Sequence, residues 1–112
     1  MNELDHTLAA LADPTRRGVI DLLHKKPRRA GELAKALEMS APAMSRHLRM
    51  LRKTGLVEEG DDADDARVRI YRLRQQPFHA LRRWLDEVET FWSRELEAFK
   101  EYAERSRTKA KR

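Results

Sequence analysis

The sequence predicts a mainly α fold with a small β-hairpin: four short helices, the hairpin, and one long closing helix. Two observations lead to it. Apolar residues recur at helical spacing in separate stretches, and the pattern changes to alternation only between Leu56 and Leu73. The stretch after the hairpin, from Phe78 onward, holds its apolar stripe for longer than any before it.

Leu4, Leu8 and Leu11 stand at i, i+4 and i+7 and predict a first amphipathic helix over residues 3–11. Asp13 caps a second, because its carboxylate accepts from the exposed first-turn N–H groups, and Pro14 at the first helical position has no N–H to leave unpaired. Val19, Ile20 and Leu23 supply that helix's buried stripe, and Pro27 stops it after Lys25 and Lys26. A third helix covers about Arg29 to Leu37, burying Leu33, Ala34 and Leu37. The turn at Glu38 and Met39 leads to Ser40, the N-cap of a fourth helix that tolerates Pro42 in its first turn. That helix runs to about Thr54, with Gly55 as its stop. Leu56 to Glu59 and Val68 to Leu73 are two strands joined by the acidic turn GDDADDA. Gln75 to Pro77 break the pattern, and from Phe78 to about residue 104 Leu81, Leu85, Val88, Trp92, Leu96 and Phe99 mark one amphipathic helix, its stripe widened by Trp84, Phe91 and Tyr102.

A chain of 112 residues has room for one domain. We expect it over residues 1–104, followed by a disordered basic tail from Arg105 to Arg112 that has no apolar anchor. Cysteine is absent, which removes disulfides, thiolate metal sites and thiol nucleophiles. With no apolar run near the ~18 residues of a membrane span, and no signal-peptide core, a cytoplasmic protein without a membrane partner is expected. The net charge of +5 points to an anionic partner, and its distribution says where. Arg46, Arg49, Arg52 and Lys53 fall in a stretch without acids, whereas Asp86 to Glu104 is dominated by carboxylates.

Two short helices, a tight turn and a following hairpin are the parts of a winged helix-turn-helix. On a wheel of about 100° per residue, Met44, Leu48 and Leu51 of the fourth helix fall within ~60° of one another and form its buried stripe. Arg46, Arg49 and Lys53 lie diametrically opposite, and they face outward along the whole helix. Such a face suits the major groove of double-stranded DNA. Arg46, near the N-terminal end, is the candidate for a bidentate bond to guanine, with Ser45 beside it and Arg49 and Lys53 on phosphates. His47 falls at the edge of the buried stripe, so position alone makes it a packed or capping residue. Met50 and Ala43 offer weaker apolar contacts to thymine methyls.

These residues resemble the ArsR-type winged helix-turn-helix repressors. The likeness runs through LADPTRR at Leu11 to Arg17, GELAKAL at Gly31 to Leu37, SAPAMSRHLRMLRKTGLV at Ser40 to Val57 and RVRIYRL at Arg67 to Leu73. It implies a homodimer joined by the first and last helices, a repressor acting on a pseudo-palindromic operator, and DNA contact by Ser45, Arg46 and His47. The closing helix is similar to that of the branch of the family that does not sense metals. No Cys or His stands in Glu32 to Leu37, and His6, His24, His47 and His79 are scattered, so neither metal nor other cofactor is expected. An effector of unknown identity remains open.

Two departures from the family pattern stand out. Glu38 occupies a turn position where glycine is common, and a left-handed backbone there costs ~1 kcal/mol or more. The wing tip carries Asp61, Asp62, Asp64 and Asp65, which repel phosphate, leaving Arg67 and Arg69 to reach DNA from the strand. Dimerisation is expected through Leu4 and Leu8 of the first helix and Leu81, Leu85, Val88, Trp92, Leu96 and Phe99 of the last. Nothing resembles a phosphate loop or a nucleophile beside a base, so no enzyme is expected. The alternative is an adaptor whose winged helix binds protein without specific DNA affinity.

Overall fold

The computed structural model describes residues 2–110. Its elements are α1 (Glu3–Leu11), α2 (Pro14–Lys25), α3 (Ala30–Ala36), α4 (Ala41–Lys53), β1 (Val57–Asp61), β2 (Arg69–Leu73) and α5 (Gln75–Ala110). This is the winged helix-turn-helix order expected from the sequence.

Local chemistry fixes the joints. Asn2 and Asp5 close a capping box on α1. Between α1 and α2 the segment DPTRR serves both helices at once. Asp13 accepts from the Thr15 and Arg16 amides at 2.8 and 3.1 Å, while Arg16 Nε donates to the Ala10 carbonyl at 2.7 Å and Arg17 Nη1 to the Leu11 carbonyl at 2.7 Å. Orphan groups at one helix's end and the next helix's start are thereby satisfied within one turn. Ser40 Oγ accepts from the Ala43 amide and caps α4. At its far end Gly55 takes φ 80°, a left-handed conformation open to glycine, and α4 stops.

The core of the first compact unit, Met1–Ala80, joins all the short helices to the wing. Val19, Leu33, Leu51 and Leu56 are fully buried, with Met44, Leu48 and Val57 beside them. β1 and β2 pair antiparallel, Val57 opposite Leu73 and Asp61 opposite Arg69. The wing is also stitched to the α2–α3 loop: Arg28 and Tyr71 exchange backbone hydrogen bonds of 3.1 and 2.8 Å. That bridge was invisible in the sequence because a single residue carries it.

The structure corrects several boundaries. The strands lie at Val57–Asp61 and Arg69–Leu73, so Leu56 and Val68 fall outside them and Gly60 and Asp61 fall inside. Gln75 to Pro77 do not interrupt α5 but start it, since a proline in the first helical turn removes no intrahelical bond; Pro77 is fully buried. The expected disordered tail is helical over Arg105–Ala110. Arg105 and Arg107 are good helix formers and sit toward the C-terminal end, where the helix dipole favours cations. Lys111 and Arg112 lie outside the described residues. By backbone packing the chain forms two compact units, Met1–Ala80 and Leu81–Arg112.

Candidate nucleic-acid interface

The candidate surface is the outer side of α4, held in place by its inner side. Met44, Leu48 and Leu51 are at most 1 % exposed, and this anchors the helix rotation. With the rotation set, Ser45, Arg46, Arg49 and Lys53 are exposed. Among the described residues Arg46, Arg49 and Lys53 form no ion pair. A row of uncompensated cations on a rigid helix is suited to the phosphates and base edges of a groove. Lys53 also lines a cleft between α4 and α1, with Met50, Thr54, Glu3, His6 and Ala9.

His47 is half-buried. The Arg16 and Thr15 amides, the Arg16 guanidinium and, more weakly, His47 hold the Asp13 carboxyl below its ordinary value of 3.8, against the opposing effect of desolvation. His47 thus belongs electrostatically to the α2 cap as well as to the edge of the outer face.

Arg52 and the wing form a separate network. Arg52 Nη1 lies 2.8 Å from Glu59 Oε2, and Glu59 Oε1 accepts from Arg69 Nε at 3.2 Å. Arg69 Nη1 donates to Asp61 at 2.6 Å; together the two carboxylates raise the Arg69 guanidinium above its ordinary value. Burial, and then the Glu59 charge, push the Tyr71 hydroxyl up as well. At the tip, Arg67 is held by Asp65 through Nε at 3.2 Å and Nη2 at 3.3 Å, and this pairing draws the Asp65 carboxyl down. Both wing arginines singled out in the sequence are therefore already engaged by the wing's own acids. Sequence reasoning missed Glu59 as the hub, since charge runs do not say which acid faces which base.

Of the expected dimer residues, Leu4 and Leu81 are half-buried, while Leu8, Leu85, Val88, Trp92, Leu96 and Phe99 are exposed. Phe91 packs edge-on against Trp92, ring centres 6.4 Å apart.

The chain is similar in sequence and in fold to known regulatory proteins. The family described as bacterial regulatory protein, arsR family, matches residues 13–59. An HTH-type transcriptional regulator of Mycobacterium tuberculosis is 39 % identical over 95 residues, covering 85 % of this chain and 83 % of its own. An ArsR-like transcriptional regulator from a Rhodococcus species superposes with a TM-score of 0.77 at 33 % identity, covering 91 % of each chain. The homodimeric winged helix-turn-helix DNA-binding domain of a Mycobacterium bovis protein superposes with a TM-score of 0.61 at 25 % identity, over 79 % of each.

Proposed function

The chain belongs to the ArsR family of bacterial regulatory proteins, and on that premise we propose that it is a homodimeric repressor that binds a pseudo-palindromic operator in the cytoplasm. The observation that carries this reading is the outward stripe of Arg46, Arg49 and Lys53, which has no internal counter-charge among the described residues, on a helix whose opposite face is locked into the core. In this reading Arg46 bonds a guanine, Ser45 and His47 flank it, and Arg49 and Lys53 bind phosphate. Arg67 and Arg69 add wing contacts only if DNA competes with their carboxylate partners, so the helix carries most of the recognition.

The dimer reading draws on the homodimeric M. bovis domain and on the exposed apolar residues of α1 and α5. Two recognition helices then enter successive major grooves about 34–36 Å apart. Repression follows by occluding polymerase, and an effector would act by shifting this geometry.

The test is binding to the DNA upstream of the protein's own gene against a scrambled duplex of equal length, over a series of salt concentrations. Tight, salt-dependent binding with preference for the upstream DNA is expected. Equal affinity for both duplexes sinks the specific-repressor reading, and negligible affinity for either favours the adaptor.

A further inference from the structure

The stretch from Leu22 to Gly31, which leads from α2 into α3, carries Lys25, Lys26, Arg28 and Arg29 and no acid. Nothing in the outer face of α4 accounts for it. Lys25, Lys26 and Arg29 are exposed, and none of them is in an ion pair among the described residues. The nearest acid on the α3 side, Glu32, spends its carboxylate on the Arg29 amide, which donates to it at 3.2 Å.

The loop is pinned. Tyr71 of β2 pairs with Glu59 of β1 on one side and exchanges backbone hydrogen bonds with Arg28 on the other, and Arg28 Nε donates to the Leu22 carbonyl at 3.3 Å. The loop therefore forms the second edge of the wing sheet, with β1 as the first. These two edges differ in sign. Asp61, Asp62, Asp64 and Asp65 crowd the hairpin tip, and its Arg67 and Arg69 are bonded to Asp65, Glu59 and Asp61, whereas the loop edge presents unpaired cations.

Helix capping explains only part of this charge. Lys25 and Lys26 stand at the C-terminal end of α2, where the helix dipole favours cations. Arg29 stands directly before α3, where the dipole opposes one. A cation kept at an unfavourable position, exposed and without an ion pair, points to an anion outside the chain.

We propose that the α2–α3 loop, through Lys25, Lys26 and Arg29, grips the DNA phosphate backbone beside the groove that α4 enters, in place of the acidic wing. This rests on the DNA-binding reading above and adds a second contact to it. With a recognition helix in the major groove, the helix before it crosses the bounding backbone. Here that helix is α3, which packs against α4, so the segment feeding α3 lies over phosphate. Repulsion at the wing tip and attraction at the loop edge tilt the sheet the same way. Phosphate contacts of this kind raise affinity without reading sequence.

The test is the full-length double variant Lys26→Ala with Arg29→Ala, titrated against the upstream and scrambled duplexes over a salt series. Both duplexes should be bound more weakly by the same factor, with the log–log salt slope smaller by about one per lost contact. Lys26→Arg should bind as the parent does, and Arg67→Ala should leave the slope unchanged. Ethylation interference should show phosphates that matter to the parent and to Lys53→Ala but not to the double variant. A double variant with the parent's slope and ethylation pattern, or an Arg67→Ala variant that flattens the slope as much, overturns the loop grip. If Arg46→Ala still loses discrimination in that case, the operator reading stands. A parent that binds neither duplex overturns both.

Discussion

Arg52, on the flank of the recognition helix α4, is tied by a 2.8 Å ion pair to Glu59 in wing strand β1. The Glu59 side chain is only 16 % exposed and also holds Arg69 at 3.2 Å. One shielded carboxylate thus takes two cations, Arg52 of α4 and Arg69 of β2, and couples the helix to the wing. Shielding strengthens such a pair relative to a fully solvated one.

Glu59→Ala removes that hub and releases Arg52 and Arg69. The expected result is stronger binding to scrambled DNA, a log–log salt slope steeper by about one to two, and a smaller preference for the operator. Anisotropy titrations at several salt concentrations measure it. An unchanged slope would mean that neither freed arginine reaches a phosphate.

Glu38 adopts φ 51° in the α3–α4 turn, a left-handed conformation that a side chain disfavours. Glu38→Gly should therefore stabilise the protein by up to ~1 kcal/mol, the relief being partly offset by the greater freedom of glycine in the unfolded chain. Urea denaturation reads the shift in midpoint. A less stable variant would mean that the carboxylate contributes more than the backbone strain removes.

Leu48 is 1 % exposed on the inner face of α4. Leu48→Ala should cost ~2–5 kcal/mol through lost burial and a residual cavity. DNA affinity should fall in proportion to the unfolded fraction, and lowering the temperature should partly recover it. A stable variant that nonetheless fails to bind would assign Leu48 a role in setting the helix orientation beyond packing.

Asp13 gives a pH-dependent contribution. Backbone hydrogen bonding from Arg16, then from Thr15, together with the nearby positive charges, lowers its carboxyl from 3.8 in the folded state. The stabilisation is therefore complete above that ordinary value and is lost as pH falls through the depressed one. Asp13→Asn, which keeps an acceptor but no charge, should be less stable than the parent near neutral pH. The two should converge on acidification. A constant difference across the titration would place the effect in hydrogen-bond geometry rather than charge.

The helices were legible because the residues that define them act locally: Leu4, Leu8 and Leu11 by spacing, Asp13 and Ser40 by capping, Gly55 by backbone freedom. The two faces of α4 followed from the wheel for the same reason. What escaped was set by partners distant in sequence. Arg28 meets Tyr71, and Glu59 meets Arg52 and Arg69, across turns whose geometry no periodicity encodes. Pro77 misled in the opposite way, because a proline looks the same in sequence whether it ends one pattern or opens the next helix.

Arg46 and Lys53 share the outer face of α4 but should fail differently. Arg46 is near the N-terminal end, where a recognition helix approaches base edges, whereas Lys53 is at the C-terminal end beside the α1 cleft. Arg46→Ala should cost ~1–3 kcal/mol against the operator and far less against scrambled DNA, which erodes discrimination. Lys53→Ala should weaken both duplexes alike and reduce the salt slope by about one. Both variants should keep the parent's thermal midpoint, because both side chains are exposed and unpaired among the described residues. If Lys53→Ala alters preference while Arg46→Ala alters only the slope, the helix enters the groove with the opposite end leading, and the assignment of base and phosphate contacts along α4 must be reversed.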